Sequence, residues 1–263
     1  LLFLEKASAW FADHVIISNH IWERTLVSRS VKQAKCSTIL NYPDSSLFHP
    51  RQRDKNNGKI VMIYPGTLNW HQGLDIAIKA FNVIRAKIPE AEFHIYGTGG
   101  QKDHLITLVQ DLGLQDSVFI KGFLPLDKIA EVMATADIGI VPKRNDPFGG
   151  EAFSTKIFEF MSLGIPTILS RTKIDTYYFN DSVVKFFVPE DVNDLADSMP
   201  YATPSVVRPA KAERKIRFPR FQDFIKRSFQ KSLPGKPIMI LAESFNAMMP
   251  CHLCLSYPSF GQA

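Results

Sequence analysis

Cysteine is scarce, with three in 263 residues. Cys36 lies in an apolar, strand-like run and reads as a buried thiol. Cys251-His-Leu-Cys254 has the spacing of a metal-ligand pair, but no second pair exists to complete a tetrahedral zinc site, so no metal is expected. Nothing suggests a disulfide framework, which makes a reducing cytoplasm the expected setting. Long apolar runs are absent too: no stretch of about 18 or more apolar residues occurs, which excludes a membrane-spanning helix. The opening Leu1-Leu-Phe-Leu meets Glu5 and Lys6 at once and has neither a basic leader nor an initiating Met. It reads as part of a helix, not a signal peptide, and the chain is expected to begin inside a larger protein. Excess positive charge is missing from most of the chain. The formal charge is +5, but residues 200–263 hold ten Lys/Arg against three acids, a local +7 that leaves −2 for everything before them. The basic character belongs to the tail and gives no warrant for nucleic-acid binding by the rest.

What is present is ample core material: 45% hydrophobic and 11% aromatic residues, the composition of a globular chain. Residues 1–12 read as a helix end, His14–Ser18 as a short strand, 20–34 as a helix with Asn19 as its cap, and Cys36–Leu40 as another strand. The Asn, Pro, Asp and Ser content of 41–50, followed by charged residues to Gly58, marks an interdomain linker over 41–58. A regular alternation follows. Strands are expected at 59–64, 92–96, 117–121, 137–141, 166–169 and 183–187. Helices are expected at 74–88, 102–112, 126–136, 154–163 and from 191. Short apolar strands alternating with helices predict an α/β, Rossmann-like, doubly wound parallel sheet over 59–199. Ligands bind such sheets beyond the carboxyl ends of the strands. After Met199, prolines and basic residues break every pattern, so 200–263 is expected to be irregular or non-homologous, perturbed by a frame shift or else a basic tail that touches anionic lipid or an acidic partner.

The chemistry concentrates in Phe148-Gly-Gly-Glu151-Ala-Phe-Ser-Thr-Lys156-Ile-Phe-Glu159, closed by Gly164-Ile-Pro166. A flexible loop enters a helix near Ser154 or Thr155 and stops at Gly164, the usual start and stop signals. At about 100° per residue, eight steps leave Glu151 and Glu159 within roughly a quarter turn of each other, able to look into one cleft at different depths. Between them, the amides of Phe153, Ser154 and Thr155 make an anion site at a helix N-terminus, and Lys156 adds a full charge. A ligand with phosphates in its middle and hydroxyls at both ends suits this arrangement. The bland alternative assigns Glu151 to the helix dipole, Glu159 to a lysine pair and Lys156 to solvent. Gly97-Thr-Gly-Gly100 lacks the full dinucleotide spacing, so a nicotinamide cofactor is not expected.

In order and spacing, several motifs resemble the nucleotide-sugar half of a GT-B glycosyltransferase, in the large retaining family with a Glu-x7-Glu motif. They are Asp13–Ser18, Asn41-Tyr-Pro-Asp44 with Phe48 and Pro50, Gly66 with Gly73–Phe81, Ile95-Tyr-Gly97, Val118–Gly122, Ala136–Pro142 and Glu151 to Glu159. The resemblance covers roughly residues 13–198. It implies that 1–40 is the remnant of a truncated N-terminal acceptor domain. It implies a reaction that needs no metal or cofactor beyond a UDP-, GDP- or ADP-sugar substrate and a carbohydrate or other glycosyl acceptor. By position, Glu159 would accept from the ribose hydroxyls and Glu151 would contact the donor sugar as the catalytic residue. The Phe153, Ser154 and Thr155 amides and Lys156 would hold the diphosphate. Gly66 and Thr67 would line the donor site, and Gly122, Phe123 and Leu124 would edge the nucleobase. The family often carries Arg and Lys where this chain has Thr67 and Gln72; His71, Lys143 or Arg144 are candidates to replace those cations. Three readings stay open: a transferase inactive without its other half, a nucleotide-sugar-binding module without turnover, and a GT-B sugar-nucleotide epimerase. Peripheral membrane contact is left open.

Overall fold

The computed structural model describes residues 2–51, 58–200 and 238–241. The described residues divide into two compact units, one holding residues 2–41 with 238–241 and one holding residues 42–51 with 58–200.

In the first unit, helix α1 (Leu2–Phe11) leads into strand β1 (His14–Ile17), helix α2 (His20–Arg29) and strand β2 (Cys36–Thr38). Asn19 leaves the strand in an extended conformation, and its side chain accepts from Trp22 N at 2.9 Å, which starts α2. The helix is shorter than expected. The amides of Ser30 and Val31 both turn back to Leu26 O, and Val31 drops into a core with Leu26, Val15, Ile17, Cys36 and Ala9. A single 3-10 turn, Gln33–Lys35, takes up the slack. β1 pairs in parallel with β2 on one side and with the strand Ile238–Leu241 on the other. That strand falls inside the stretch expected to be irregular; the rest of the tail from residue 201, including Cys251 and Cys254, lies outside the described residues.

The second unit begins within the stretch expected to be a linker. Leu47 and Phe48 donate to Asp44 O, the Asp44 carboxylate accepts from Ser46, and Phe48 is buried, so residues 44–48 form a compact turn. Residues 52–57 lie outside the described residues. Then come β3 (Ile60–Pro65), α3 (Leu74–Arg85), β4 (Ala91–Tyr96), α4 (Lys102–Asp111), β5 (Val118–Lys121), α5 (Leu126–Thr135), β6 (Ile138–Val141), α6 (Thr155–Leu163), β7 (Thr167–Ser170), α7 (Lys173–Tyr178), β8 (Lys185–Phe187) and α8 (Val192–Ser198).

All six strands are parallel, in the order β5-β4-β3-β6-β7-β8. The chain winds outward from β3 to β5, crosses back, and winds outward again from β6 to β8. Right-handed crossovers running in opposite directions put their helices on opposite faces of the sheet. The large core lies under α3, α4 and α8, built from Met62, Tyr64, Phe81, Phe93, Ile95, Ile138, Ile168 and Leu195. The strands read as apolar runs because both faces are covered: every residue of β6 and β7 is buried. The winding reverses between β3 and β6, which opens a crevice at their carboxyl ends. No helix among the described residues is long and apolar enough to cross a membrane.

Candidate functional site

The crevice is organised around Gly66, the first residue past β3. It adopts φ +144°, open to glycine but strained for other residues, and a Cβ placed there would stand 3.0 Å from Lys156 Cε and 3.2 Å from its Nζ. The ammonium therefore lies against the end of β3, on the far side of the crevice from the helix that carries it. Lys156 Nζ also sits 4.9 Å from the centroid of the Tyr64 ring and 3.4 Å from Ser154 Oγ. Tyr64 is fully buried, and its hydroxyl donates between Thr67 O and Gln72 Oε1, each 2.9 Å away. Burial pushes the phenol far up, so it stays protonated. Gln72, at a position where the resemblance expects a cation, is thus tied to Tyr64.

The loop before α6 consumes its own polar groups and leaves its end open. Asp146 Oδ1 accepts from the amides of Phe148 and Gly149, while Gly150 donates to Asp146 O. Glu151 and Ala152 donate to Phe148 O. Beyond Ala152 the pattern stops. Among the described residues no protein acceptor meets the amides of Phe153, Ser154 or Thr155, and the Ser154 side chain, at the N-cap of α6, makes no capping hydrogen bond to the helix amides. Phe153 anchors this segment by burying its ring among Phe158, Tyr178 and Phe179 at centroid distances of 4.8, 5.1 and 6.2 Å. The result is a helix N-terminus with unspent donors beside Lys156, the arrangement that binds anions.

Glu159 follows Lys156 by three residues, on the same side of α6. Among the described residues its carboxylate has no hydrogen-bond partner, and burial raises its pKa while Lys156 opposes the rise. A carboxylate that is largely removed from water without a partner is a candidate ligand group. Glu151 lies in the loop, with Oε1 accepting from Lys173 Nζ at 2.6 Å.

The remaining expected residues fall into three groups. Thr67 is exposed just past Gly66, with its carbonyl held by Tyr64. Gly122 and Phe123 lie past β5, on the same carboxyl edge two strands from β3, with Phe123 73% exposed. Hydrogen bonds from Gly66 N to Tyr96 O and from Gly97 N to Lys121 O lace the three strand ends together. His71 packs edge-on to Phe148, with ring centroids 5.1 Å apart. Burial lowers its pKa below 6.5; Asp146 opposes this, and Lys156 and Lys143 reinforce it. Lys143 and Arg144 are buried and engaged internally: Lys143 with Ala152 O and Asp175, Arg144 with Asp75, Glu190 and Trp70. Sequence reasoning missed Tyr64, Lys173, Asp175 and the helix α7 that carries the last two. Thr172-x-x-Asp175 is a capping signature that marked it.

The sequence profile described as "Glycosyl transferases group 1" matches residues 46–203. Among curated proteins, the chain is 30% identical over 128 residues to mannosylfructose-phosphate synthase of Agrobacterium fabrum, covering 46% of this chain and 27% of that protein. It is 26% identical over 218 residues to the phosphatidylinositol N-acetylglucosaminyltransferase gpi3 subunit of Schizosaccharomyces pombe, covering 82% and 45%. The chain thus spans less than half the length of either relative. Among solved structures, Anabaena Alr3699/HepE in complex with UDP and glucose superposes with TM-score 0.70 at 19% identity, covering 88% of this chain and 67% of that one. Sucrose-phosphate synthase from Thermosynechococcus elongatus gives TM-score 0.63 at 22% identity, covering 79% and 54%. These likenesses bear on fold, and the six-stranded parallel sheet matches the Rossmann-like domain of GT-B proteins. With its profile matched over more than half of its length, the chain belongs to the glycosyl transferases group 1 family.

Proposed function

We propose that residues 59–199 form the donor half of a retaining glycosyltransferase and bind a nucleoside-diphosphate sugar in the crevice between β3 and β6. One observation carries the reading: Lys156 lies against Gly66 beside three amides at the entrance to α6 that have no protein acceptor among the described residues, with Glu159, whose carboxylate has no hydrogen-bond partner among the described residues, one turn further in. In this reading the diphosphate takes the amides of Phe153, Ser154 and Thr155 and the ammonium of Lys156. Glu159 accepts from the ribose hydroxyls, and Glu151 of the Glu-x7-Glu motif contacts the sugar. Gly66 and Thr67 give the phosphates room, and Gly122 and Phe123 edge the base. His71 is a further candidate phosphate contact.

The chemistry follows from charge. Transfer breaks the bond between the sugar's anomeric carbon and the distal phosphate oxygen and forms one to an acceptor hydroxyl on the same face. The acceptor's proton goes to the departing phosphate. Negative charge grows on that phosphate as the bond breaks, and preorganised amides and Lys156 stabilise it. Losing one such donor typically slows catalysis by about 10²–10³. Calorimetric titration with UDP, GDP and ADP tests the site: at least one should bind, and Glu159→Ala should abolish that binding. Failure of all three nucleotides counts against the assignment.

A second reading is that the site holds a nucleotide sugar without transferring it, since transfer also requires an acceptor held beside the donor in a closed site. Incubating the chain with a donor it binds and a panel of sugar acceptors should give no glycoside, and any measured transfer removes this second reading.

A further inference from the structure

Lys143 and Arg144, the adjacent residues beyond Pro142, are 3% and 9% exposed and serve different segments. Lys143 Nζ donates to Ala152 O at 2.9 Å and pairs with Asp175 Oδ2 at 3.0 Å. Thr172 Oγ1 donates to that same Asp175 oxygen at 2.6 Å. Ile174 N donates to Gly150 O at 3.0 Å, so α7 and Lys143 grip the loop together, just ahead of the open amides of α6. Arg144 turns toward the end of β3. Its Nη2 donates to both Asp75 carboxylate oxygens at 2.8 Å, Nη1 to Glu190 Oε2 at 2.8 Å, and Nε to Trp70 O at 3.2 Å. The guanidinium lies 4.6 Å from the Trp70 ring centroid, and the Arg144 amide donates to His71 O at 2.9 Å.

We infer that Lys143 and Arg144 are positioning residues that fix the two walls of the diphosphate site, the turn carrying His71 and the loop entering α6, without touching the phosphates themselves. The inference rests on the donor-site reading above. Charge accounting favours it: Lys143 faces Asp175, and Arg144 faces Asp75 and Glu190, so each arrives already neutralised. Geometry favours it too, because a guanidinium engaged through all three nitrogens cannot turn to a phosphate without leaving two carboxylates. Stability is a poor alternative explanation for the Lys143–Asp175 pair. Buried ion pairs seldom gain net stability over apolar residues, and among the described residues Asp175 Oδ1 has no hydrogen-bond partner. What the pair does supply is a fixed position for the Ala152 carbonyl, immediately before Phe153.

Calorimetry with UDP, GDP and ADP over a series of salt concentrations separates positioning from contact, because salt screens a direct charge–phosphate attraction. The variants are the neutral double Lys143→Met/Asp175→Leu, Arg144→Lys and, as the contact control, Lys156→Gln. The double variant and Arg144→Lys should bind about tenfold more weakly than the unmodified chain, since small misplacements of a preorganised site are costly. Their affinity should keep the unmodified salt dependence, while that of Lys156→Gln becomes shallower. A shallower dependence in the double variant, or undiminished affinity in both it and Arg144→Lys, overturns the inference. Circular dichroism checks folding; should the double variant not fold, the charge-preserving Arg144→Lys decides alone. Failure of the unmodified chain to bind any nucleotide sinks the donor-site reading and this inference with it, whereas binding with unchanged variants sinks the positioning role alone.

Discussion

Glu159 is the residue whose energetics are most revealing. Its folded-state pKa is raised above 4.5, chiefly by burial. A carboxyl that is harder to ionise in the folded state favours folding most at low pH and loses that advantage as pH rises through the folded pKa. The ionised acid is therefore a burden on stability at neutral pH, one expected of a group kept for binding. Glu159→Gln should raise the melting temperature at pH 7, and the gain should shrink to nothing as pH falls below 4.5. A gain that is independent of pH would contradict the assignment of its cause. Gly66 is constrained twice, by its backbone angle and by the Lys156 side chain. Gly66→Ala should destabilise the chain by about 1–3 kcal/mol in denaturant melts, as for a residue forced into a sparsely populated conformation. It should also weaken nucleotide binding by displacing the ammonium. Wild-type stability and affinity in this variant would show that neither constraint acts. The two acids, the glycine and the lysine could be singled out from the sequence as candidates, because helix periodicity and turn chemistry are local. The role of Tyr64 was not, since a tyrosine at the end of an apolar strand reads only as core.

At the scale of elements, the strands and the long helices were readable because a parallel sheet covered on both faces leaves nearly continuous apolar runs. Helix α7 was not. It has six residues, Lys173-Ile-Asp-Thr-Tyr-Tyr, too few to show a 3.6-residue period. Its place is set by contacts distant in sequence, from Lys143 to Asp175 and from Gly150 to Ile174. Thr172 starts it, accepting from Asp175 N at 3.3 Å and donating to the Asp175 carboxylate. Thr172→Val should destabilise the chain by about 1–2 kcal/mol, the usual effect of losing an N-cap. Amide exchange should quicken across 148–154, because α7 grips that loop. Exchange that speeds up in α7 alone would show that the two elements are independent. The early end of α2 has the same origin, a tertiary core claiming Val31 against local helix preference.

For the molecule as a whole, the order β5-β4-β3-β6-β7-β8 explains why residues separated by up to ninety positions meet. Winding outward twice from the centre leaves the ends of β3 and β6 adjacent, and the loops that follow them bring Gly66, His71, Lys143 and Lys156 to one crevice. Sequence alternation predicted such a sheet, and the internal pairing of Lys143 and Arg144 appears only once the strands are ordered, since their partners come from α3, α7 and the loop holding Glu190. The central claim is that the end of β3 and the start of α6 together bind a diphosphate. A crystal structure of the chain with whichever of UDP, GDP and ADP binds tests it most directly. The account predicts phosphate oxygens within hydrogen-bond distance of the Phe153, Ser154 and Thr155 amides and of Lys156 Nζ, with Glu159 on the ribose. A nucleotide seated elsewhere on the chain, with those amides still lacking an acceptor, would contradict it.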